Sequence, residues 1–193
     1  MGAQAAFEWP TPPPGGYTAD DLDRLPNLPP HTELIDGSLV LVSPQKVFHT
    51  LALDLLVQGL RRTVPKNLRV RREMCVTLGL RQRLEPDVLV VAADAETSPD
   101  QTWYPPDAVD LVVEVVSPDS EERDRDRKPT LYARAGIRHF WRVEDISGGK
   151  VAVYVYELDP ATHTYALTGI YHDRIQVGLP FDIDIDLTEI ERL

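Results

Sequence analysis

The sequence predicts a mixed α/β (α+β) fold, with a central mixed β-sheet flanked by helices and extended by β-hairpins. Two observations predict it. A single long amphipathic helix pattern, "KVFHTLALDLLVQGLRRTV", stands in the first third of the chain. Around it lie short apolar runs of β type, several joined by turn signals, and one further helical stretch.

The elements follow in order. Residues 1–16 contain "WPTPPPGG" and read as a Pro/Gly-rich arm, leaving 17–193 as one domain. "YTADDLDRLP" gives a short helix with Thr18 as its N-cap. "HTELIDGSLVLVSP" gives a hairpin around an Asp36-Gly37 turn. In the long helix, Phe48, Leu51, Leu53, Leu55, Leu56, Val57 and Leu60 form a wide apolar face, ending before Pro65. Three strand candidates come next: "NLRVRREMCVTLGL", "PDVLVVAA" and "AVDLVVEVVSP", the last two separated by the Pro-rich loop "TSPDQTWYPPDA". "EERDRDRKPTLYARAG" is helical in part, with Gly136 as its stop. "IRHFWRVED" reads as a strand, and "KVAVYVYELDPATHTYALTG" as a hairpin around Asp159-Pro160. "LPFDIDIDLTEIERL" closes with a short strand or turn and a helical turn.

Composition narrows the function. The formal net charge is −11, which does not advertise nucleic-acid binding, because phosphate contacts need Lys and Arg. The charge is uneven, however. Arg61 to Arg83 carries eight basic residues and one acid, whereas Glu85 to Asp119 carries nine acids and no Lys or Arg. Such a division suits a site that holds a cation on one side and an anion on the other, or else a solvated basic face beside loop acids. Cys75 is the only cysteine, so no internal disulfide forms; between Met74 and Val76 it reads as a core residue. No apolar run reaches the roughly 18 residues of a membrane helix. With no basic, apolar leader either, a cytoplasmic protein is the expectation.

Three acids stand where apolar or turn residues belong. Glu33 opens the first hairpin, Asp87 follows Pro86, and Glu114 interrupts "LVVEVV". A lone buried carboxylate is destabilising unless it is paired or bound to a metal. Glu114 therefore either pairs with Arg134 or Arg142 as a core acid, or joins Asp87 from an adjacent strand to hold a hard cation. Mg²⁺ or Mn²⁺ there would position water for phosphodiester hydrolysis. Lys128, on the following helix, would orient that water or stabilise developing charge. His49, at the start of the long helix, would hold an anion or a water.

The series "ELIDGSLVLVSP", "FHTLALDLL", "EPDVLVV", "PPDAVDLVVEVVSPDS", "RDRKPTLYARAGIRHFWRVED" and "VAVYVYEL" resembles the Uma-two family, restriction-endonuclease-like proteins of the PD-(D/E)XK nuclease superfamily. It runs over roughly residues 17–192. The resemblance implies a restriction-endonuclease-like core and a Mg²⁺- or Mn²⁺-dependent DNA endonuclease. By it, Asp87 matches the Asp of the "PD" motif, Glu114 the acid of "EV.S", Lys128 the lysine before "LYARAG", and Glu33 the acid of "ELIDG". Asp87 and Glu114 are then the metal ligands, with Lys128 and Glu33 completing the catalytic set. His49 matches the histidine opening the long helix. Val116 stands where the superfamily's "ExK" lysine falls, so Lys128 takes that part. Pro129 departs from the pattern; it predicts a helix starting near Pro129 with Lys128 as N-cap.

On this reading His49, Arg61, Arg62, Arg69, Arg71 and Arg72 contact DNA, with Lys66 beside them. A homodimer suits cutting both strands of a duplex, with the hairpin edge at 151–168 supplying contacts. The competing readings are an inactive nuclease fold that binds nucleic acid or assembles, and a small-molecule metallohydrolase.

Overall fold

A computed structural model of the chain describes residues 11–193, so residues 1–10 of the expected arm lie outside the described residues. Helix α1 (Ala19–Leu22) starts at Thr18, whose hydroxyl and backbone N–H both donate to Asp21 Oδ2, at 2.8 and 2.7 Å. Strands β1 (Glu33–Ile35) and β2 (Ser38–Val40) form the expected hairpin. Asp36 and Gly37 at its turn have φ of 55° and 78°, the pair of positive values a tight two-residue turn needs. Helix α2 (Val47–Thr63) follows, ending ahead of Pro65.

The stretch "NLRVRREMCVTLGL" is not one strand but two. They are β3 (Leu68–Arg72) and β4 (Cys75–Gly79), broken at Glu73, whose φ of 51° turns the chain into another sheet. Then come β5 (Gln82–Leu84), β6 (Val88–Ala92), β7 (Trp103–Tyr104) and β8 (Val109–Val115). The two-residue β7 lies inside the stretch expected to be only a loop. After helix α3 (Lys128–Arg134) the chain forms β9 (His139–Ser147), β10 (Lys150–Asp159), β11 (Thr164–Tyr171), β12 (Arg174–Val177) and β13 (Ile183–Asp186).

The main sheet has six strands in the order β11-β10-β9-β8-β6-β3, and β8 and β9 are its parallel pair. A five-stranded sheet, β2-β1-β5-β4-β7, and the ribbon β12-β13 complete the set. The main sheet is covered on both faces, which explains why its central strands read as continuous apolar runs. Val88, Val90, Leu111 and Val113 pack against α2 and the ribbon. Leu89, Val91, Val112 and Phe140 face the smaller sheet and α3. Gly59 lets α2 lie close on the ribbon, for a Cβ there would stand 2.6 Å from Ile185 Cγ1. The fold is therefore mixed α/β with a central mixed sheet flanked by helices and hairpins, as the sequence predicts.

The α3 region departs from expectation. The helix does not begin at Pro129 with Lys128 as N-cap. Lys128 is the first residue of α3, Arg127 precedes it in helical conformation, and a π-helical turn covers Arg123–Arg127. The Lys128 N–H bonds the Arg123 carbonyl, five residues back. The wider turn carries the hydrogen-bond ladder past Pro129, which has no N–H to give. At the other end, Gly136 takes φ +85°, its N–H bonds Ala133 O and the Ile137 N–H bonds Tyr132 O, a Schellman stop.

Candidate active site

Strand register brings the first two acids together. Val88 faces Val113 across β6 and β8, so one further step sets Asp87 opposite Glu114. Residues directly opposite in an antiparallel pair project to the same side. For Asp87 and Glu114 that is the side of Leu89 and Val112, where α3 and the smaller sheet lie. Asp87 also holds the strand end, since its Oδ2 accepts the Val115 N–H at 2.6 Å.

Glu114 is 2% exposed and both its oxygens are engaged. Oε2 takes a bond from Lys128 Nζ at 3.0 Å, and Oε1 takes one from the Tyr132 hydroxyl at 2.6 Å. Arg142 does lie beside Glu114 in the β8–β9 register, yet its guanidinium pairs with Glu144 at 2.7 Å and stacks over Tyr154. Glu114 is thus not held by Arg134 or Arg142, the two arginines weighed for it from the sequence. That role falls to Lys128 and Tyr132 of α3.

Lys128 is the hub. Its Nζ lies 3.1 Å from Glu33 Oε1, 3.0 Å from Glu114 Oε2 and 3.3 Å from Asp124 Oδ1, and all four side chains are buried. Glu33 is fixed in turn by the Glu85 N–H, which donates to its Oε1 at 2.9 Å. Asp124 is fixed by the Ser120 hydroxyl, itself 2.8 Å from the Ser117 hydroxyl. His49 Nε2 stands 3.1 Å from Asp87 Oδ1, an ion pair when the imidazole is protonated.

The electrostatics follow from one ammonium among several carboxylates. Burial pushes the Glu114 carboxyl well above the usual range; Lys128 pulls it back, while Asp124, Asp87 and Glu33 push it up further. Asp124 is raised for the same first reason, burial, against the pull of Lys128. Burial opposes the Lys128 charge, yet Glu114, Glu33 and Asp124 outweigh it and hold the ammonium well above its ordinary value. Burial raises the Tyr132 hydroxyl well above its ordinary value, as do the acids around it, so it donates rather than ionises. Burial also opposes charge on His49, but Asp87 more than compensates and raises its pKa.

Glu33, His49, Asp87, Glu114, Asp124 and Lys128 line one cavity of about 370 Å³. The five arginines expected to meet DNA do not line it. Arg61 reaches the Val70 carbonyl at 3.5 Å, Arg62 pairs with Glu189 at 3.3 Å, and Arg69 bonds the carbonyls of Lys66 and Leu68. Arg71 pairs with Glu96, and Arg72 with Asp54 and Glu73 at 3.1 and 3.0 Å. Local acids and carbonyls take up these charges.

Asp124 and Tyr132 escaped the sequence reading. A signal existed: Asp124, Lys128 and Tyr132 recur every fourth residue, so one helix face carries all three. Within "EERDRDRK" alone, nothing in the sequence sets the buried Asp124 apart from the exposed charges beside it.

Among the described residues no three His, Cys, Asp or Glu side chains converge into a ready-made metal cluster. The donor chemistry still fits a hard cation. Mg²⁺ keeps several of its waters and takes one or two carboxylates, which Asp87 and Glu114 supply from a common cavity. A carboxylate oxygen accepts more than one partner, so the Lys128 and Tyr132 bonds do not preclude an ion.

Among solved structures, the chain is similar to a protein from Anabaena variabilis ATCC 29413, described as "a putative nuclease belonging to DUF820". The two share 17% identity, with 90% of this chain and 96% of that chain covered and a TM-score of 0.68. At that identity the likeness shows the fold. No curated protein matches the chain. A comparison with protein families matches residues 19–188 to Uma2, described as "Putative restriction endonuclease". That match runs from the start of α1 past the end of β13, and the chain belongs to the Uma2 family.

Proposed function

We propose that the protein is a Mg²⁺- or Mn²⁺-dependent endonuclease that hydrolyses DNA phosphodiester bonds. The observation that carries this reading is the convergence of Asp87 and Glu114 from neighbouring strands into one cavity beside the Lys128 ammonium. Membership of a family described as "Putative restriction endonuclease" supports it, as does the fold shared with a protein described as "a putative nuclease".

In this reading Asp87 and Glu114 hold the ion, which when bound lowers the pKa of a coordinated water and offsets phosphoryl charge. The chain's own residues do the rest. His49 orients Asp87, Tyr132 and Lys128 orient Glu114, and Glu33 and Asp124 hold Lys128 in place. The test is cleavage of duplex DNA in Mn²⁺ by the wild type and by an Asp87→Ala/Glu114→Ala variant that keeps its melting transition. A loss of about a hundredfold or more supports the assignment; retained cleavage removes it.

One observation favours the second reading, a nuclease fold that binds nucleic acid without cutting. Three carboxylates already engage Lys128, which leaves it little freedom to meet a reacting phosphate. Metal-dependent binding without cleavage in the wild type selects that reading. We also propose a two-fold dimer. Strand β11 is an edge of the main sheet, and its Leu167 and Ile170 are exposed. Sedimentation that gives a monomer removes the dimer.

A further inference from the structure

Four basic side chains line the acid-rich cavity: His31, His49, Arg123 and Lys128. Three are already matched. His31 forms an ion pair with Glu85, His49 with Asp87, and Lys128 with three carboxylates, although the ring nitrogens of His49 also lack a hydrogen bond. Arg123 is different. Its Nε is buried with no hydrogen-bond partner, and among the described residues its side chain makes no ion pair.

The contrast is sharp along its own helical stretch. Arg125 bonds Glu121 and Glu144, and Arg127 bonds Asp36. A buried N–H without a partner loses its hydration with nothing in return, so such a group is seldom left unmatched. Carboxylates abound in the same cavity, yet none is placed to take the Arg123 guanidinium. Of the three arginines in the π-helical turn, Arg123 is the one that lines this cavity. A planar guanidinium offers paired donors that fit the oxygens of a phosphate better than an ammonium does.

We infer that Arg123 is the phosphate-binding side chain of the cavity, taking a phosphodiester of a nucleic-acid strand. The inference rests on the nuclease reading and says which cation meets the substrate anion. It gives this part to Arg123 rather than to Lys128, whose charge the acids around it satisfy. It also gives it to α3's approach rather than to the arginines of 61–72.

The test compares wild type, Arg123→Gln and Arg123→Lys for binding of single-stranded oligothymidylate in Ca²⁺ buffer over a range of salt. Thermal melting checks the fold of each. Arg123→Gln should weaken binding about tenfold or more and lower the slope of log K against log salt by about 0.7. Arg123→Lys should restore the slope but only part of the affinity, because the charge returns without the fork. Wild-type affinity and slope in Arg123→Gln would overturn the inference, and so would a wild type that binds no oligothymidylate. Mn²⁺-dependent cleavage separates the two claims. A wild type that binds through Arg123 but never cuts keeps this inference and removes the nuclease reading. A wild type that cuts while Arg123→Gln binds equally well does the reverse.

Discussion

The Lys128 ammonium lies 3.0 Å from Glu114 Oε2, joining the first residue of α3 to an acid within the central sheet. This bond turns an apolar strand with an acid in it into a stable structure. Each partner makes the other's burial affordable, and Glu33 and Asp124 complete the set.

Replacing Lys128 by Met should therefore be severe. It leaves Glu33, Glu114 and Asp124 buried without a counter-charge, at a cost of about 3–5 kcal/mol. Urea denaturation measures it. Adding Glu114→Gln to Lys128→Met should recover part of the loss, since the two changes act on one interaction. An additive double variant would contradict the coupling.

Tyr132→Phe removes the only donor to Glu114 Oε1 among the described residues and leaves that oxygen unmatched in the interior. The expected loss is about 1–3 kcal/mol, with the sheet otherwise unchanged. A midpoint equal to wild type would mean that water replaces the hydroxyl.

Asp124 gives a pH signature. Burial raises its folded carboxyl pKa above the ordinary aspartate value. A raised folded value means that the protonated form favours the fold. Its contribution is present below the unfolded value and is lost as pH rises through the folded one. Asp124→Asn mimics the protonated form. In metal-free buffer it should match wild type in acid and gain on it progressively as pH rises from about 4 towards neutrality. A constant difference across that range would contradict the assignment.

The main layers of this fold were legible because periodicity reports burial. The face of α2 and the runs "PDVLVVAA" and "LVVEVV" show it directly. Asp87 and Glu114 were legible as acids out of place. What was hidden depends on tertiary context. The corner at Glu73 looked like an alternating strand because a positive φ has no apolar signature. The π-helical turn at Arg123–Arg127 was hidden because proline rules describe a regular helix. The pairing of Arg62, Arg71 and Arg72 with acids was unreadable, as the partners of Arg62 and Arg71 are distant in sequence.

Cys75 should be inert. Burial pushes its thiol up to about 12, and Glu85, with Oε2 at 3.8 Å from the sulfur, adds to the effect. Iodoacetamide at pH 8 should label the folded protein far more slowly than the urea-unfolded chain. Equal rates would contradict this environment.

The most direct test of the account is calorimetric titration with Mn²⁺ of the wild type, Asp87→Asn and Glu114→Gln, each first shown to be folded by thermal melting. The account predicts saturable binding by the wild type, in the range up to millimolar, that either substitution weakens at least about tenfold, as loss of a carboxylate from a two-carboxylate site requires. Equal affinity in all three proteins, or no binding by the wild type, would contradict the assignment of Asp87 and Glu114 as the metal-holding pair.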